Sequence, residues 1–254
     1  MRITTGVVLA AFVASRAPAA AAQPAVPALS PIETAVACAP PPSLDGPPHD
    51  ALRVIGTQDA MPRTVFGGRD LIVIGGGEKA GVRLGQPFFV RRANRFGMMY
   101  GAGGGGGRGV HTLGWLHVVA VNESTAIAQV DHLCDAIIAM DYLEPFAAPA
   151  VPPGLETADA TGDPDFGALG RVIAGDLQRA TVGSGDFALI DRGTEQGVAP
   201  GQRLAVYRDL RVGGLPLTSI GEAVVVSTSA STALARITRA RDAVRSGDYV
   251  APRR

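Results

Sequence analysis

The histidines of this chain are candidates for metal binding or catalysis. His111, His117 and His132 fall in its first half, whereas His49 lies earlier, in a proline-rich stretch. Zinc sites use His, Cys or carboxylate ligands at short spacings such as HExxH, which this sequence lacks. We assign His111 and His132 no carboxylate or cysteine partner at ligand spacing. Structural roles and no metal site are therefore predicted, with an exported metal-dependent hydrolase using the histidines as an alternative.

A glycine-rich run, GAGGGGGRG, extends from Gly101 to Gly109. A phosphate-binding loop needs such a run between a strand and a helix, followed by Lys and then Ser or Thr. Here both flanks are strand-like and no such pair follows. The run is predicted to be a flexible hairpin loop, and no cofactor is expected.

No arrangement for nucleophilic catalysis stands out, because the chain has no G-x-S-x-G sequence. Four aspartates, Asp70, Asp141, Asp186 and Asp248, lie at the starts of predicted strands, and the last two directly follow a glycine. Carboxylates in such places stabilise turns by bonding to the backbone. We predict no catalytic residues and a protein that is not an enzyme.

These candidate residues lie in an internal sequence repeat of two copies. DLIVIGGGEKAGVRLGQPFFVRR begins at Asp70, and DFALIDRGTEQGVAPGQRLAVYR begins at Asp186. A second pair of blocks begins at Gly114 and Gly221, with the shared elements S-T-A and D-Y-x-x-P. The aspartates occupy matching positions in the two copies, which favours a structural role for them.

Short β-branched runs broken by glycine turns predict an all-β protein of two tandem small antiparallel β-barrel modules. Helical periodicity is weak, and only a short helical turn near Asp242 to Arg245 is expected. The predicted segments are a signal peptide (1–22), a disordered Pro/Ala-rich linker (23–52), module 1 (53–146), a second linker (147–169) and module 2 (170–252).

The first residues predict export. Arg2 is followed by the apolar run GVVLAAFVA, which is too short to span a bilayer, and cleavage is expected between Ala22 and Gln23. In an oxidising compartment the two cysteines, Cys38 and Cys134, are predicted to form one disulfide. The expected location is periplasmic or secreted, without an integral membrane span.

Charge excludes one class of partner. The chain has 23 basic and 23 acidic residues, so it lacks the basic excess typical of nucleic-acid-binding proteins. The expected partner is another envelope protein, with peptidoglycan as an alternative and no nucleic acid.

The repeated pattern combines R-V-I, G-D before a strand, G-x-x-x-G-V-x-x-G-Q, S-T-A-x-A and D-Y-V-x-P. It resembles the C-terminal domain of the flagellar assembly protein T family, and is similar to the β-modules of LysM-associated exported proteins. The resemblance covers residues 53–146 and 170–252 and implies a small β-barrel in a periplasmic, non-catalytic role. No functional residue is carried over, because the matching positions are structural. We therefore predict an exported cell-envelope scaffold or protein-binding module, with peptidoglycan or glycan binding as an alternative.

Overall fold

The computed structural model describes residues 28–59, 61, 63–95, 108–176 and 179–254. Across these residues two closed six-stranded antiparallel β-barrels follow one another along the chain, which confirms the all-β prediction. The predicted signal peptide and most of the Gly101 to Gly109 run lie outside the described residues.

Eight strands form the first half. They are β1 (Arg53–Thr57), β2 (Val65–Phe66), β3 (Leu71–Gly75), β4 (Pro87–Arg95), β5 (Arg108–Val121), β6 (Thr125–Leu133), β7 (Ile137–Ile138) and β8 (Tyr142–Pro145). Six of them close the first barrel in the order β1-β3-β6-β5-β4-β8, and β2 pairs with β7 in a two-stranded sheet.

The second half repeats this plan. Its strands are β9 (Gly170–Gly175), β10 (Thr181–Val182), β11 (Phe187–Ile190), β12 (Arg203–Arg208), β13 (Thr218–Thr228), β14 (Ala233–Ala240), β15 (Val244–Arg245) and β16 (Tyr249–Pro252). The second barrel closes in the order β9-β11-β14-β13-β12-β16, with β10 paired to β15. Strand for strand, this is the order of the first barrel, so the repeat in the sequence is a repeat of topology.

Each barrel has its own apolar interior. Side chains of a strand alternate between the two faces of a sheet. In β3, Ile72 and Ile74 are fully buried inside the first barrel, while Leu71 and Val73 point outward. In β14 of the second barrel, Ala233, Ala235 and Ile237 are buried in a separate core. The two barrels therefore do not share one interior.

A repeated glycine fixes the turn after β3 and after β11. A Cβ atom on Gly77 would lie 2.1 Å from the carbonyl oxygen of Asn122, and one on Gly193 would lie 2.4 Å from that of Ser229. Only glycine allows the two backbones to approach so closely. The matching glycines in the sequence thus mark a backbone contact that both barrels need.

The segment before the first barrel contains a helix, so the prediction of a disordered linker over residues 23–52 is wrong at this point. Helix α1 spans Pro31–Cys38, and Ser30 and Glu33 form a capping box at its start. A helix of eight residues is marginal on its own, so its stability depends on packing. Near Asp242 to Arg245, where at most a short helical turn is predicted, the chain forms a bend and β15.

Among the described residues, no helix has the length and apolar character required to span a membrane.

Candidate functional site

The three histidines of the first barrel have separate partners. Nε2 of His111 lies 3.1 Å from the Asp135 carboxylate, and Nδ1 of His117 lies 2.7 Å from that of Asp131. The statement that His111 lacks a carboxylate partner is therefore wrong. Sequence spacing missed both pairs because neighbouring antiparallel strands bring together residues that lie far apart in the chain.

His132 lies beside the two cysteines. The ligand atoms of Cys38, His132 and Cys134 lie within 4.8 Å of one another, the one such group of three in the described part of the chain. The cysteines form the predicted disulfide, with Cα atoms 5.4 Å apart, so their sulfurs are bonded to each other. The His132 ring stacks on Trp115 with centroids 4.4 Å apart. This group therefore fastens α1 to the end of β6.

Two of the repeated aspartates form matching ion pairs. In the first barrel Asp141 accepts hydrogen bonds of 2.7 and 2.8 Å from Arg92, and in the second Asp248 accepts bonds of 2.9 and 2.7 Å from Arg208. Hydrogen bonding to Asp248, opposed by burial, raises the pKa of Arg208. In each barrel the pair joins the start of the last strand, β8 or β16, to β4 or β12. This shared structural role explains why the pair occurs in both copies.

The other two repeated aspartates hold turns. The Asp70 carboxylate accepts a 2.7 Å bond from the backbone N–H of Gly67, and Asp186 accepts a 2.8 Å bond from that of Gly183. The Gly67 bond, with smaller help from Arg63, lowers the pKa of Asp70. These carboxylates stabilise the turns before β3 and β11, as predicted from their matching positions in the two copies of the repeat.

Helix α1 lies between the two barrels. Ala37 packs with Phe89 and Trp115 on the outside of the first barrel, next to the disulfide. On its other side, Ile32 and Val36 pack on the outside of the second barrel. The helix is thus attached to the first barrel by the disulfide, and it buries part of the outer surface of the second barrel.

The outer surface that α1 covers is apolar. We define the covered face as the outward side chains of β9, β11, β13 and β14 that pack under α1 and the linker before the second barrel: Ile173, Phe187, Leu189, Val226 and Leu234. Leu44, which follows α1, and Leu155 of the linker complete the cover. Leu189 is fully buried although it points out of the barrel.

The first barrel has the matching face, and no segment of the described residues covers it. We define the open face as the residues that the repeat aligns with the covered face: Ile55, Leu71, Val73, Val119 and Ile127. Ile55 is 50% exposed and Leu71 is 42% exposed, and the other three are half-buried. Each adjoins a residue of the barrel interior, so it points to the outside.

The open face is continuous across four neighbouring strands. Val73 of β3 is paired with Gly56 of β1 on one side and with Ile127 of β6 on the other. A bulge in β5 places Val119 beside Ile127, and β13 has the same bulge beside Leu234 of β14. The two faces therefore share register and local irregularity, and the aligned residues named above are all apolar, although buried Val224 under α1 corresponds to His117 in the first barrel. Within the described residues they differ in whether a segment lies on them.

Three charged pairs lie at the border of the open face. Arg63 donates a 3.0 Å bond to Asp70, next to Leu71, and His117 pairs with Asp131 beside β6. Lys79 forms an ion pair with Glu123 at the β5–β6 turn. These three pairs are satisfied within the first barrel, while the guanidinium of Arg53, two residues before Ile55, donates to the backbone carbonyl of Met140.

Over the residues that the structure describes, the fold is two tandem closed β-barrels, one with its apolar outer face covered and one with that face open. The chain matches no family model and no curated protein sequence.

Sequence reasoning missed both α1 and the open face. The signal for α1 was present as Ser30, Pro31 and Glu33, which combine a capping box with proline at the first helical position. The open face has no distinctive sequence pattern, because residues such as Leu71 and Ile127 are also typical of strands in a barrel interior. Only the comparison with the covered Phe187 and Leu234 distinguishes them.

Proposed function

We propose that this protein is an exported, non-enzymatic binding module or scaffold that captures a polypeptide partner on the open face. The observation that carries the proposal is the exposure of Leu71 where its counterpart Phe187 is buried. The second barrel supports the inference, since the same surface there is occupied.

Burial of the open face would favour association. Covering a large aliphatic side chain stabilises a complex by roughly 1.5–3 kcal/mol when the side chain was fully exposed. Leu71 and Ile55 are about half exposed, so each would contribute less than this range. Aliphatic patches of this kind, bordered by polar residues, are typical of protein-binding surfaces.

Export to the periplasm or cell envelope belongs to the same proposal. Its support is the apolar run after Arg2, the small residues leading to Ala22, and the disulfide between Cys38 and Cys134. Disulfides of this kind persist in oxidising compartments, where an envelope partner would be met.

The histidines give the hydrolase alternative little support. His111 and His117 are each engaged by a different aspartate, and His132 stacks on Trp115. Across the described segments they do not converge on one point, which a shared metal ion would require.

The test is site-specific photocrosslinking in the source organism. A photoreactive amino acid in place of Leu71 is expected to crosslink a discrete envelope protein. The same amino acid in place of Leu84, which is 52% exposed but outside the open face, is the matched control. The captured protein is then purified, and it should bind the wild-type chain at least tenfold more tightly than Leu71→Asp.

Two results would contradict the proposal. One is equal binding of the purified partner to wild type and Leu71→Asp. The other is tight binding to purified peptidoglycan that Leu71→Asp leaves unchanged, which would favour the glycan-binding alternative.

A further inference from the structure

The covered face shows what kind of segment fits such a surface. Its occupant begins as the short helix α1 and continues as the proline-rich run APPPSL from Ala39 to Leu44. The side chains that reach the face are aliphatic and mostly small: Ile32, Ala35, Val36, Ala39 and Leu44. The segment that occupies the covered face is therefore a short helix followed by an extended, proline-rich stretch.

A polar contact holds the proline-rich end of this segment on the second barrel. The carbonyl oxygen of Pro42 accepts hydrogen bonds from the hydroxyl groups of Ser229 and Thr232, in the turn between β13 and β14. An extended proline run makes no hydrogen bonds within itself, so its carbonyls need partners from elsewhere. The two hydroxyls thus recognise the extended part of the occupant.

The first barrel keeps hydrogen-bond donors at the same two positions. Asn122 and Thr125 align with Ser229 and Thr232, in the turn between β5 and β6. The Asn122 amide lies 3.4 Å from the Thr125 hydroxyl, so both point into one small region. An amide N–H and a hydroxyl can donate to a backbone carbonyl as the two hydroxyls do in the second barrel.

The apolar part is also retained. Leu71, Val73 and Ile127 replace Phe187, Leu189 and Leu234, and each replacement is aliphatic. One position changes character, because His117 replaces Val224 and pairs with Asp131. Because burying a charge against aliphatic side chains is costly, an uncharged aliphatic ligand is favoured over a charged one.

We propose that the open face binds a short apolar helix followed by a proline-rich extended segment, supplied by another polypeptide and similar in chemistry to residues 30–44. This deepens the proposed function and rests on it. The chain's own α1 does not fill this role, since the disulfide and the packing of Ala37 hold it against Phe89 and Trp115, outside the open face. A second copy holds its α1 by the same disulfide.

The test uses a synthetic peptide of residues 28–46 carrying Cys38→Ser and a fluorescent label. Binding to the full oxidised chain is followed by fluorescence anisotropy. Saturable binding in the micromolar range is expected. Leu71→Asp should weaken it at least tenfold, and the double variant Asn122→Ala with Thr125→Val should weaken it severalfold. Leu84→Asp, on exposed surface elsewhere, should leave it unchanged.

A second peptide, with Val36→Asp, checks that the apolar side of the helix makes the contact, and it should not bind. The inference is overturned if the parent peptide does not bind, or if Leu71→Asp has no effect on its binding. It is also overturned if the chain alone forms a dimer that Leu71→Asp dissociates, since the occupant is then a second copy. Failure of the peptide alongside persistent crosslinking at position 71 would remove this inference and leave the proposed function standing.

Discussion

Leu71 and Phe187 occupy the same position on the same strand of two barrels with the same topology, yet Leu71 is 42% exposed and Phe187 is 4% exposed. The difference comes from what lies outside the barrels, because both side chains point away from their interiors. Helix α1 and the linker cover Phe187, and within the described residues no segment does the same for Leu71.

Aspartate at these two positions should have very different effects on stability. Phe187→Asp places a carboxylate under α1 and removes a buried ring, so we expect the free energy of unfolding to fall by about 3–5 kcal/mol. Leu71→Asp leaves the new carboxylate in water and should cost less than about 1 kcal/mol. Chemical denaturation of both variants measures the difference, and equal losses would mean that the open face is covered.

The repeated ion pairs should differ in strength because Arg92 is more exposed than Arg208, whereas Asp141 and Asp248 are both buried. In the second barrel the side chains of Arg208 and Asp248 are 8% and 5% exposed, while Arg92 in the first barrel is 27% exposed. Arg208→Leu leaves Asp248 buried without its partner, and a loss of about 3–5 kcal/mol is expected. Arg92→Leu should cost less, since water can reach Asp141 through the vacated space.

Denaturation of the two arginine variants under the same conditions provides the comparison. A larger loss for Arg92→Leu than for Arg208→Leu would show that burial does not set the strength of these pairs.

Removal of the disulfide should destabilise the chain without releasing α1. Cys38 and Cys134 are 96 residues apart, and closing a loop of this length is worth roughly 4–5 kcal/mol in the chain-entropy model. The Thr112 hydroxyl still donates a 2.8 Å bond to the carbonyl of Ala39, which keeps the helix end in place. The double variant Cys38→Ser with Cys134→Ser should therefore stay folded with a lower melting temperature.

Reduction of the wild-type chain is the control, and it should lower the melting temperature to a similar extent. An unchanged melting temperature in the double variant would show that the packing of α1 alone restrains this loop.

Tyr142 should make stability depend on pH in alkaline solution. Burial, together with the nearby Glu144 carboxylate, raises the pKa of Tyr142 to about 12, from 10.0 for a free tyrosine. Between these values the unfolded chain loses the phenol proton while the folded chain keeps it, so stability falls as the pH rises through this window. Tyr142→Phe should remove that part of the decline.

The ultraviolet absorbance of phenolate follows this titration directly. The wild-type chain should show a late ionisation step that is missing in Tyr142→Phe. Ionisation of every tyrosine near pH 10 in the folded protein would contradict the assigned burial.

The sequence was sufficient for the barrels because their information is local and repeated. Runs such as LIVI at Leu71 and FALI at Phe187 alternate or are wholly apolar, and glycines end them, so strand positions could be read directly. The pairing of Cys38 with Cys134 was also accessible, since two cysteines allow one bond. The repetition of Asp141 and Asp248 indicated a structural role in turns, which their bonds from the backbone N–H groups of Ile138 and Arg245 confirm, but not their ion pairs with Arg92 and Arg208.

The remaining features depend on tertiary contacts that the sequence does not display. Helix α1 is too short for a periodic signal and is held by packing on two barrels, so the proline-rich composition around it predicted disorder. The pairs of His111 with Asp135 and His117 with Asp131 form across strands, beyond the reach of spacing rules. The open face is defined by a missing cover, which requires coordinates to see.

Methyl NMR of the full oxidised chain during titration with the 28–46 peptide tests the role of the open face most directly. Binding there predicts that the methyl signals of Leu71, Val73 and Ile127 shift together and saturate, while those of Leu189 and Leu234 under α1 stay in place. Shifts confined to the second barrel or to Leu84, or no shifts at all, would contradict a binding role for this surface.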